Sequence, residues 1–345
     1  MTPVRFKAIT GQYARLRVAV VGDFTLDRYL EIDPALRENS IETGLPVYNV
    51  SNVRSLPGCA GTILNNLCAL GVGTIYPVGF CGMDGEGFEL LRALDRCPGV
   101  VRDHFLQTEA RRTFTYCKPL MRYPDAAPQE LNRLDTKNWS PTPSAVEDLL
   151  IRSIRSLALQ VDAIILMDQV EVPETGVITT RVRETIRSVR REYPKLLISA
   201  DSRRGLRGFP PVIFKMNAHE LSVLTGAPAH LDLAEIQQSA LTLARANQQR
   251  VFITLAERGM IGVTPDGEMK HVPAWPLRGD IDVVGAGDAV TANLMCALAA
   301  GAELSETLEL ASAAASIVIH QVGTTGTATV SQLQELLCHP AAVAD

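Results

Sequence analysis

The segment 282–288 reads Asp-Val-Val-Gly-Ala-Gly-Asp and is followed at once by 289–300, which is apolar enough to form a buried helix. Gly285 and Gly287 let the backbone approach a ligand closely, and the free N–H groups of a helix N-terminus bind phosphate or a developing oxyanion. Asp288 would be the only carboxylate in that site, where it could accept a hydroxyl proton while the N–H groups stabilise a transferred phosphate. The alternative, favoured for an isolated Gly-x-Gly-Asp, is that Asp288 only caps the helix.

The elements that would position this segment alternate between strands and helices. Strands are predicted at 17–23, 74–80, 162–167, 195–200, 212–216, 250–254, 260–264 and 269–273, and helices at 62–70, 86–94, 145–157, 174–192, 232–247, 286–300 and 305–320. Continuous apolar runs separated by helical periodicity predict an α/β fold with a doubly wound, mostly parallel sheet that is sandwiched by helices.

Two stretches interrupt this alternation, about 31–53 and 101–135, where apolar and polar residues alternate as in half-exposed strands. We expect both to form a small β-sheet lid, inserted in a single domain that spans 1–345. Because the lid strands would have exposed edges in a monomer, we expect a homodimer formed through the lid.

Composition excludes several classes of partner. The formal net charge is −5 with both signs interspersed, so we expect neither nucleic acid nor an anionic membrane as partner. The seven cysteines include no Cys-x-x-Cys pair, which argues against a disulfide framework and a zinc site and favours the cytoplasm. No run approaches the roughly 20 apolar residues that span a bilayer. A small-molecule substrate is the better expectation.

Six motifs, in the same order along residues 17–326, resemble those of the ribokinase-like (PfkB) family of carbohydrate kinases. They are Gly22-Asp23 with Asp27, Gly58 with Thr62 and Asn66, Asn217 with Glu220, Thr254 with Gly259, the segment 282–288, and Ser312 with Gly323. The resemblance implies a sugar kinase that uses ATP and Mg²⁺, with K⁺ as a further ion. It favours the catalytic interpretation of Asp288 over the helix cap.

The same resemblance implies a role for each motif. Asp288 is the base, and Gly285, Ala286 and Gly287 form the anion hole. Acceptor binding is implied for Asp27, Asp23, Gly58, Thr62, Asn66 and Arg133. ATP binding is implied for Asn217, Glu220, Thr254, Gly259, Ser312 and Gly323, with Glu220 ordering Mg²⁺ through water and K⁺ near Asp282. The chain departs from the family pattern at Cys59, where a second Gly is usual, and at Thr62, where Asn is usual.

Within the family, the pattern is most similar to that of the heptose 7-phosphate kinases, through 22–29, Pro57-Gly58, 133–135 and Asp282-Val283. Cations that could meet a phosphate on the acceptor fall in the expected lid: Arg111, Arg112, Lys118, Arg122 and Arg133. Arg203 could also reach a phosphate, whereas Glu171 stands where those kinases carry Lys.

Other interpretations stay open. Ribokinase, ketodeoxygluconate kinase and nucleoside kinase belong to the same family, and a sugar- or nucleotide-binding regulator without activity could use the same fold. A dinucleotide-binding dehydrogenase is disfavoured because the first predicted strand is not followed by Gly-x-Gly-x-x-Gly.

Overall fold

The computed structural model describes residues 1–124, 126–228 and 231–338. Residue 125, inside the expected lid segment 101–135, and residues 339–345, at the end of the expected domain, lie outside this part. The strands are β1 Arg17–Gly22, β2 Phe24–Ile32, β3 Glu38–Asn39, β4 Pro46–Val47, β5 Val50–Cys59, β6 Thr74–Gly82, β7 Phe105–Thr108, β8 Thr115–Met121, β9 Gln129–Glu130, β10 Ala163–Asp168, β11 Leu197–Ser202, β12 Ile213–Asn217, β13 Val251–Thr254, β14 Met260–Val263 and β15 Met269–Val272. The helices are α1 Pro3–Thr10, α2 Ala60–Ala69, α3 Gly85–Leu94, α4 Ser144–Leu157, α5 Thr180–Glu192, α6 Ala218–Thr225, α7 Leu233–Asn247, α8 Ala286–Ala299, α9 Leu304–Ile319 and α10 Val330–Cys338.

A nine-stranded sheet forms the centre of the fold, in the order β15-β14-β13-β12-β11-β10-β1-β6-β7. The strands from β7 to β13 run parallel, and β14 pairs antiparallel with both β13 and β15. The chain proceeds from β1 towards β7 on one side and returns to β10 on the other. The strand order therefore reverses between β1 and β10, and the crevice at such a switch point is where α/β sheets bind ligands. The expected doubly wound sheet is confirmed.

Alternate residues of the central strands face two separate apolar cores. In β1, Val18 and Val20 belong to the core that includes α2, α8 and α9, whereas Ala19 and Val21 belong to the core that includes α4, α5 and α7. Burial on both faces explains why the strand is an unbroken apolar run. Helix α8 is apolar on nearly all sides because it packs between α2 and α9. No helix in the described ranges is long and apolar enough to cross a bilayer.

A second, four-stranded sheet has the order β5-β2-β8-β9 and extends from the carboxyl end of β1. Strand β2 pairs antiparallel with β5 and parallel with β8. From the expected lid segment 101–135, only β8 and β9 contribute strands to this sheet, because β7 pairs with β6 in the large sheet. The sheet places β2, β5 and β8 beside the switch point.

The expected helix 174–192 is wrong at its start, because α5 begins only at Thr180. The residues before it form a loop whose N–H groups bond elsewhere: the Asp23 carboxylate accepts from Gln169 (2.8 Å), Val170 (3.2 Å) and Val177 (2.7 Å). Thr179 then caps the helix by accepting from the Val182 N–H. A carboxylate 146 to 154 residues away in the chain thus takes the place of helical hydrogen bonds.

Candidate active site

The N-terminus of α8 lies above the carboxyl ends of β10 and β11, which it contacts. Gly285 caps the helix with a φ of 84°, a conformation that favours glycine. The N–H groups of Gly287 and Asp288 have no hydrogen-bond partner in the described part of the chain, as expected for the first turn of a helix. Of the anion hole predicted at 285–287, the Gly287 N–H is therefore available to a ligand, whereas the Ala286 N–H donates to the Val283 carbonyl at 3.3 Å.

Asp288 is half-buried in this first turn and its carboxylate has no hydrogen bond within the described ranges. Burial raises the pKa of Asp288 to about 7, the negative charges of Asp201 and Asp27 add to the rise, and the Lys215 ammonium opposes it. A carboxyl group with a pKa near neutrality is well matched to accept a proton from a hydroxyl.

Lys215 and Asp201 lie beneath the anion hole. Lys215 Nζ is 2.7 Å from Asp201 Oδ2, and Thr291 Oγ1 of α8 donates to the same oxygen at 3.3 Å. The motifs in the sequence identified neither Lys215 nor Asp201 as a site residue. The available signal was a lysine inside the apolar run of β12, since a buried charge needs a partner or a function.

The acceptor side of the crevice is built by β2, β5 and β8. Asp27 is buried, and its Oδ2 accepts from Lys118 Nζ at 3.2 Å, while Thr25 Oγ1 lies 3.4 Å from Oδ1. Gly58 of β5 pairs with Thr25, and a Cβ on Gly58 would lie 2.3 Å from Asp27 Oδ1. Gly58 therefore leaves space for the carboxylate that the resemblance assigns to the acceptor.

The start of α2 meets the start of α8. A Cβ at Gly285 would lie 3.6 Å from Thr62 Cγ2, so these two motifs, far apart in sequence, are neighbours. Cys59, just before α2, has a φ of 56° and a ψ of −115°, which explains why glycine is usual there. Asn66 is fully buried and donates to the Thr62 carbonyl inside the helix, so its side chain does not face the crevice.

Asp23 was expected to bind the acceptor, but its two oxygens already accept the three backbone N–H groups of the loop after β10. Burial raises its pKa, and the charge of Asp168 adds to the rise. Asp168 in turn is held by Ser202 (2.8 Å) and Arg204 (2.9 Å). Asp23 therefore supports the loop that lines the acceptor side rather than offering a free carboxylate.

The cations of the small-sheet region are all engaged with protein groups. Arg122 pairs with Glu31 (2.8 Å), Arg112 with Asp84 (3.4 Å), Arg111 donates to the Ser140 carbonyl (2.9 Å), Lys118 pairs with Asp27, and Arg133 pairs with Asp135 (2.9 Å). Arg133 also stacks 4.6 Å from the ring centroid of Tyr116. Tyr116 lines a cavity together with Thr25, Gln169, Trp139 and Glu171. At this cavity Glu171 pairs with Lys137 at 3.2 Å.

The expected nucleotide-binding residues lie at the ends of β12 and β13, in α6 and α9 and in nearby turns, and several have structural partners. Asn217 and Glu220 form a capping box at the start of α6, and burial raises the pKa of Glu220. Gly259 has a φ of 90°, and a Cβ there would lie 2.0 Å from the Val272 carbonyl oxygen. Thr254 Oγ1 lies 3.5 Å from the Met216 carbonyl oxygen.

Asp282 joins the loop before α8 to the turn after α9. Its oxygens accept from the N–H groups of Val284 (3.0 Å) and Gly323 (3.4 Å). Ser312 is buried in α9. No cluster of three or more potential metal-ligating side chains occurs among the described residues, and the K⁺ expected near Asp282 stays a prediction.

Solved structures with the same fold include two sugar kinases. Ribokinase of Arabidopsis thaliana, in complex with ribose and ATP, has a TM-score of 0.67 and 20% identity over 93% of this chain and 98% of its own. Phosphofructokinase-2 of Escherichia coli, in complex with substrates and products, has a TM-score of 0.69 and 16% identity over 93% and 97%. The fold is ribokinase-like.

Relatives of known name include the bifunctional protein HldE of three bacteria. Identity is 30% with that of Bradyrhizobium sp. (97% of this chain, 66% of the relative), 32% with that of Hyphomonas neptunium (95% and 64%), and 30% with that of Nitrobacter winogradskyi (99% and 67%). The chain thus spans about two thirds of the length of these relatives.

The ribokinase-like sheet with a smaller sheet beside it, together with the match to a kinase family, gives the class of the protein, an ATP-dependent sugar kinase. Residues 208–330, which include Lys215 and Asp288, match the pfkB family carbohydrate kinases. The chain belongs to the pfkB family, and the family resemblance found in the sequence is confirmed.

Proposed function

We propose that this chain transfers the γ-phosphoryl group of ATP to a hydroxyl of a sugar or sugar phosphate, with heptose 7-phosphate as the first candidate acceptor. The observation that carries the proposal is Asp288, a carboxyl group with a pKa of about 7 beside two free backbone N–H groups of α8. Base and anion hole are thus adjacent in one helical turn.

In this mechanism, Asp27 accepts hydrogen bonds from acceptor hydroxyls and orients the sugar. Asp288 accepts the proton of the attacking hydroxyl as its oxygen bonds to the γ-phosphorus and the bond from phosphorus to ADP breaks. The N–H groups of Gly287 and Asp288 stabilise the charge on the transferred group. The proton stays on Asp288 until the phosphorylated sugar has left.

Magnesium bound to ATP fits the residues present. One oxygen of Glu220 accepts from the Asn217 N–H in the capping box, and the other has no partner within the described ranges. A single carboxylate that is reached through water suits Mg²⁺, which keeps most of its waters and supplies positive charge to the phosphates. Glu220 and Asn217 would hold those waters. A requirement for K⁺ near Asp282 is tested by replacing K⁺ with Na⁺ in the assay.

Two observations support heptose 7-phosphate over other acceptors: the identity of 30% to 32% with the HldE relatives, and the motif pattern at 22–29 and 133–135. Ribokinase, ketodeoxygluconate kinase and nucleoside kinase activities are the alternatives within the family. A homodimer formed through the lid is supported by the exposed apolar side chains of Ile41, Leu45 and Tyr48, which lie in and beside the hairpin of β3 and β4. A cytoplasmic location is supported by the free thiols of all seven cysteines.

The test is ATP consumption by the purified chain with Mg²⁺ and K⁺, against heptose 7-phosphate, ribose, fructose, ketodeoxygluconate and adenosine. We expect one strong responder, and Asp288→Asn should lower its kcat by roughly 10²- to 10⁴-fold while ATP still binds. Wild-type turnover in that variant would refute the base. ATP binding without turnover on any acceptor would favour the regulator interpretation.

A further inference from the structure

Lys215 is buried inside the site with donors to spare. Its exposed fraction is 8%, and Asp201 is its one hydrogen-bond partner among the described residues. An ammonium has three N–H donors, so one bond at 2.7 Å to Asp201 leaves two of them unused. Burying a charge in this way is unfavourable unless another partner satisfies it.

The unused donors are close to the anion hole. Lys215 Nζ lies 3.1 Å from the position that a Cβ on residue 287 would take, so the ammonium lies directly against the turn before Asp288. The unpaired N–H groups of Gly287 and Asp288 belong to the same turn. The ammonium of Lys215 in β12 and the backbone N–H groups of α8 therefore converge on one place. Lys215 is an observation separate from the helix N-terminus.

The charges around Lys215 keep it protonated. Burial lowers the pKa of Lys215, but the carboxylates of Asp201, Asp288 and Glu220 more than offset this, and the net shift is upward. The ammonium therefore acts as a fixed positive charge and not as a proton donor. The nearby carboxylates repel a negatively charged phosphoryl group. A cation such as Lys215 offsets this repulsion.

We propose that Lys215 is a catalytic residue that binds the γ-phosphoryl group during transfer, its two free N–H donors adding to those of Gly287 and Asp288. This inference rests on the proposed phosphoryl transfer. As the oxygen–phosphorus bond to the acceptor forms and the one to ADP breaks, Lys215 keeps its proton and the acceptor proton goes to Asp288. Asp201 holds the ammonium in place throughout.

The test uses variants that separate charge from packing. Lys215→Met alone would leave the buried Asp201 without its partner. The first variant is therefore the double substitution Lys215→Met with Asp201→Asn. The second is Lys215→Gln, which can still donate to Asp201. We expect kcat in both to fall by roughly 10²- to 10³-fold. The exposed Lys270→Met is the matched control and should keep the wild-type kcat.

A second readout needs no acceptor. Wild-type protein should bind MgADP more tightly when aluminium fluoride, a mimic of the transferring group, is present. In both Lys215 variants this gain in affinity should be at least tenfold smaller. Both variants should bind MgADP alone with the wild-type affinity. Wild-type kcat or an undiminished fluoride effect in a folded Lys215 variant would overturn the proposal. Lack of wild-type turnover on every acceptor, with the fluoride effect intact, would count against the proposed acceptors and not against Lys215.

Discussion

Gly58 of β5 and Asp27 of β2 lie diagonally across paired strands, so close that a Cβ on Gly58 would lie 2.3 Å from Asp27 Oδ1 and 2.4 Å from Thr25 Oγ1. The absence of a side chain at one residue therefore sets the position of the carboxylate at the other. That carboxylate is the group to which we assign acceptor orientation.

Gly58→Ala should displace Asp27 and lower kcat/KM for the acceptor by on the order of 10²-fold, because a shift of about 1 Å in a positioning group has that effect. The KM for ATP should stay unchanged, since none of the residues that we propose to bind ATP contacts Gly58. Steady-state kinetics with each substrate varied in turn measures both. Gly85→Ala, where a Cβ meets open space, is the matched control. Equal kinetics in the two variants would contradict the relationship.

The rate should depend on pH through Asp288. Its pKa of about 7 predicts that kcat/KM falls as the pH drops below 7, because the protonated carboxyl group cannot accept the hydroxyl proton. Asp201 and Asp27 raise this pKa and Lys215 lowers it. Asp201→Asn removes one of the raising charges, so the acid limb should move to lower pH. A limb that stays in place, or moves upward, would refute this charge assignment, and Asp103→Asn at an exposed site is the control.

Asp23→Asn should act on stability. An amide offers one acceptor oxygen where the carboxylate's two oxygens accept three N–H groups, so at least one buried donor loses its partner. The expected loss is about 1–3 kcal/mol in the free energy of unfolding, measured with urea. Hydrogen exchange of Gln169, Val170 and Val177 should become faster. An unchanged unfolding midpoint would show that the carboxylate does not hold this loop, and Asp103→Asn again serves as control.

Cys59→Gly should stabilise the protein. At a φ of 56° a side chain destabilises the folded state by roughly 1–2 kcal/mol. Glycine has a greater entropy in the unfolded chain, which offsets part of the gain. The expected net increase in the free energy of unfolding is about 1 kcal/mol. Thermal unfolding measures the gain. Cys59→Ala removes the sulfur but keeps the strained backbone, so it should show no gain. Equal melting temperatures for the two variants would contradict the explanation by strain.

Glu171→Gln should favour acceptors that carry a phosphate. The change releases Lys137 from its ion pair with Glu171, so that Lys137 can pair with a phosphate on the acceptor. An ion pair of this kind contributes up to about 1 kcal/mol, which corresponds to roughly a fivefold lower KM for heptose 7-phosphate. The KM for heptose without phosphate should not change. Glu335→Gln, at an exposed position of α10, is the control. A fall in both KM values, or in neither, would show that Lys137 does not meet the acceptor phosphate.

Features that depend on neighbouring residues could be predicted from the amino-acid sequence. The apolar runs of β1 and β10 indicate strands buried on both faces, and Gly285 and Gly287 before an apolar stretch indicate a helix with a free N-terminus. These properties follow from backbone conformation and side-chain polarity within a few residues. The amino-acid sequence by itself therefore determines the fold class and the place of Asp288 at a helix N-terminus.

Only the tertiary structure decided which charges meet. Asp23 turns to the loop after β10, Asp201 and Lys215 meet because β11 and β12 are neighbours in the sheet, and Thr62 reaches Gly285 because α2 packs on α8. Each carboxylate or ammonium could bind several partners, and its choice depends on distances that strand order and helix packing set. Asp23 and Asp27 look equivalent in sequence, yet burial against different backbone segments makes one a support of the loop and leaves the other in the crevice.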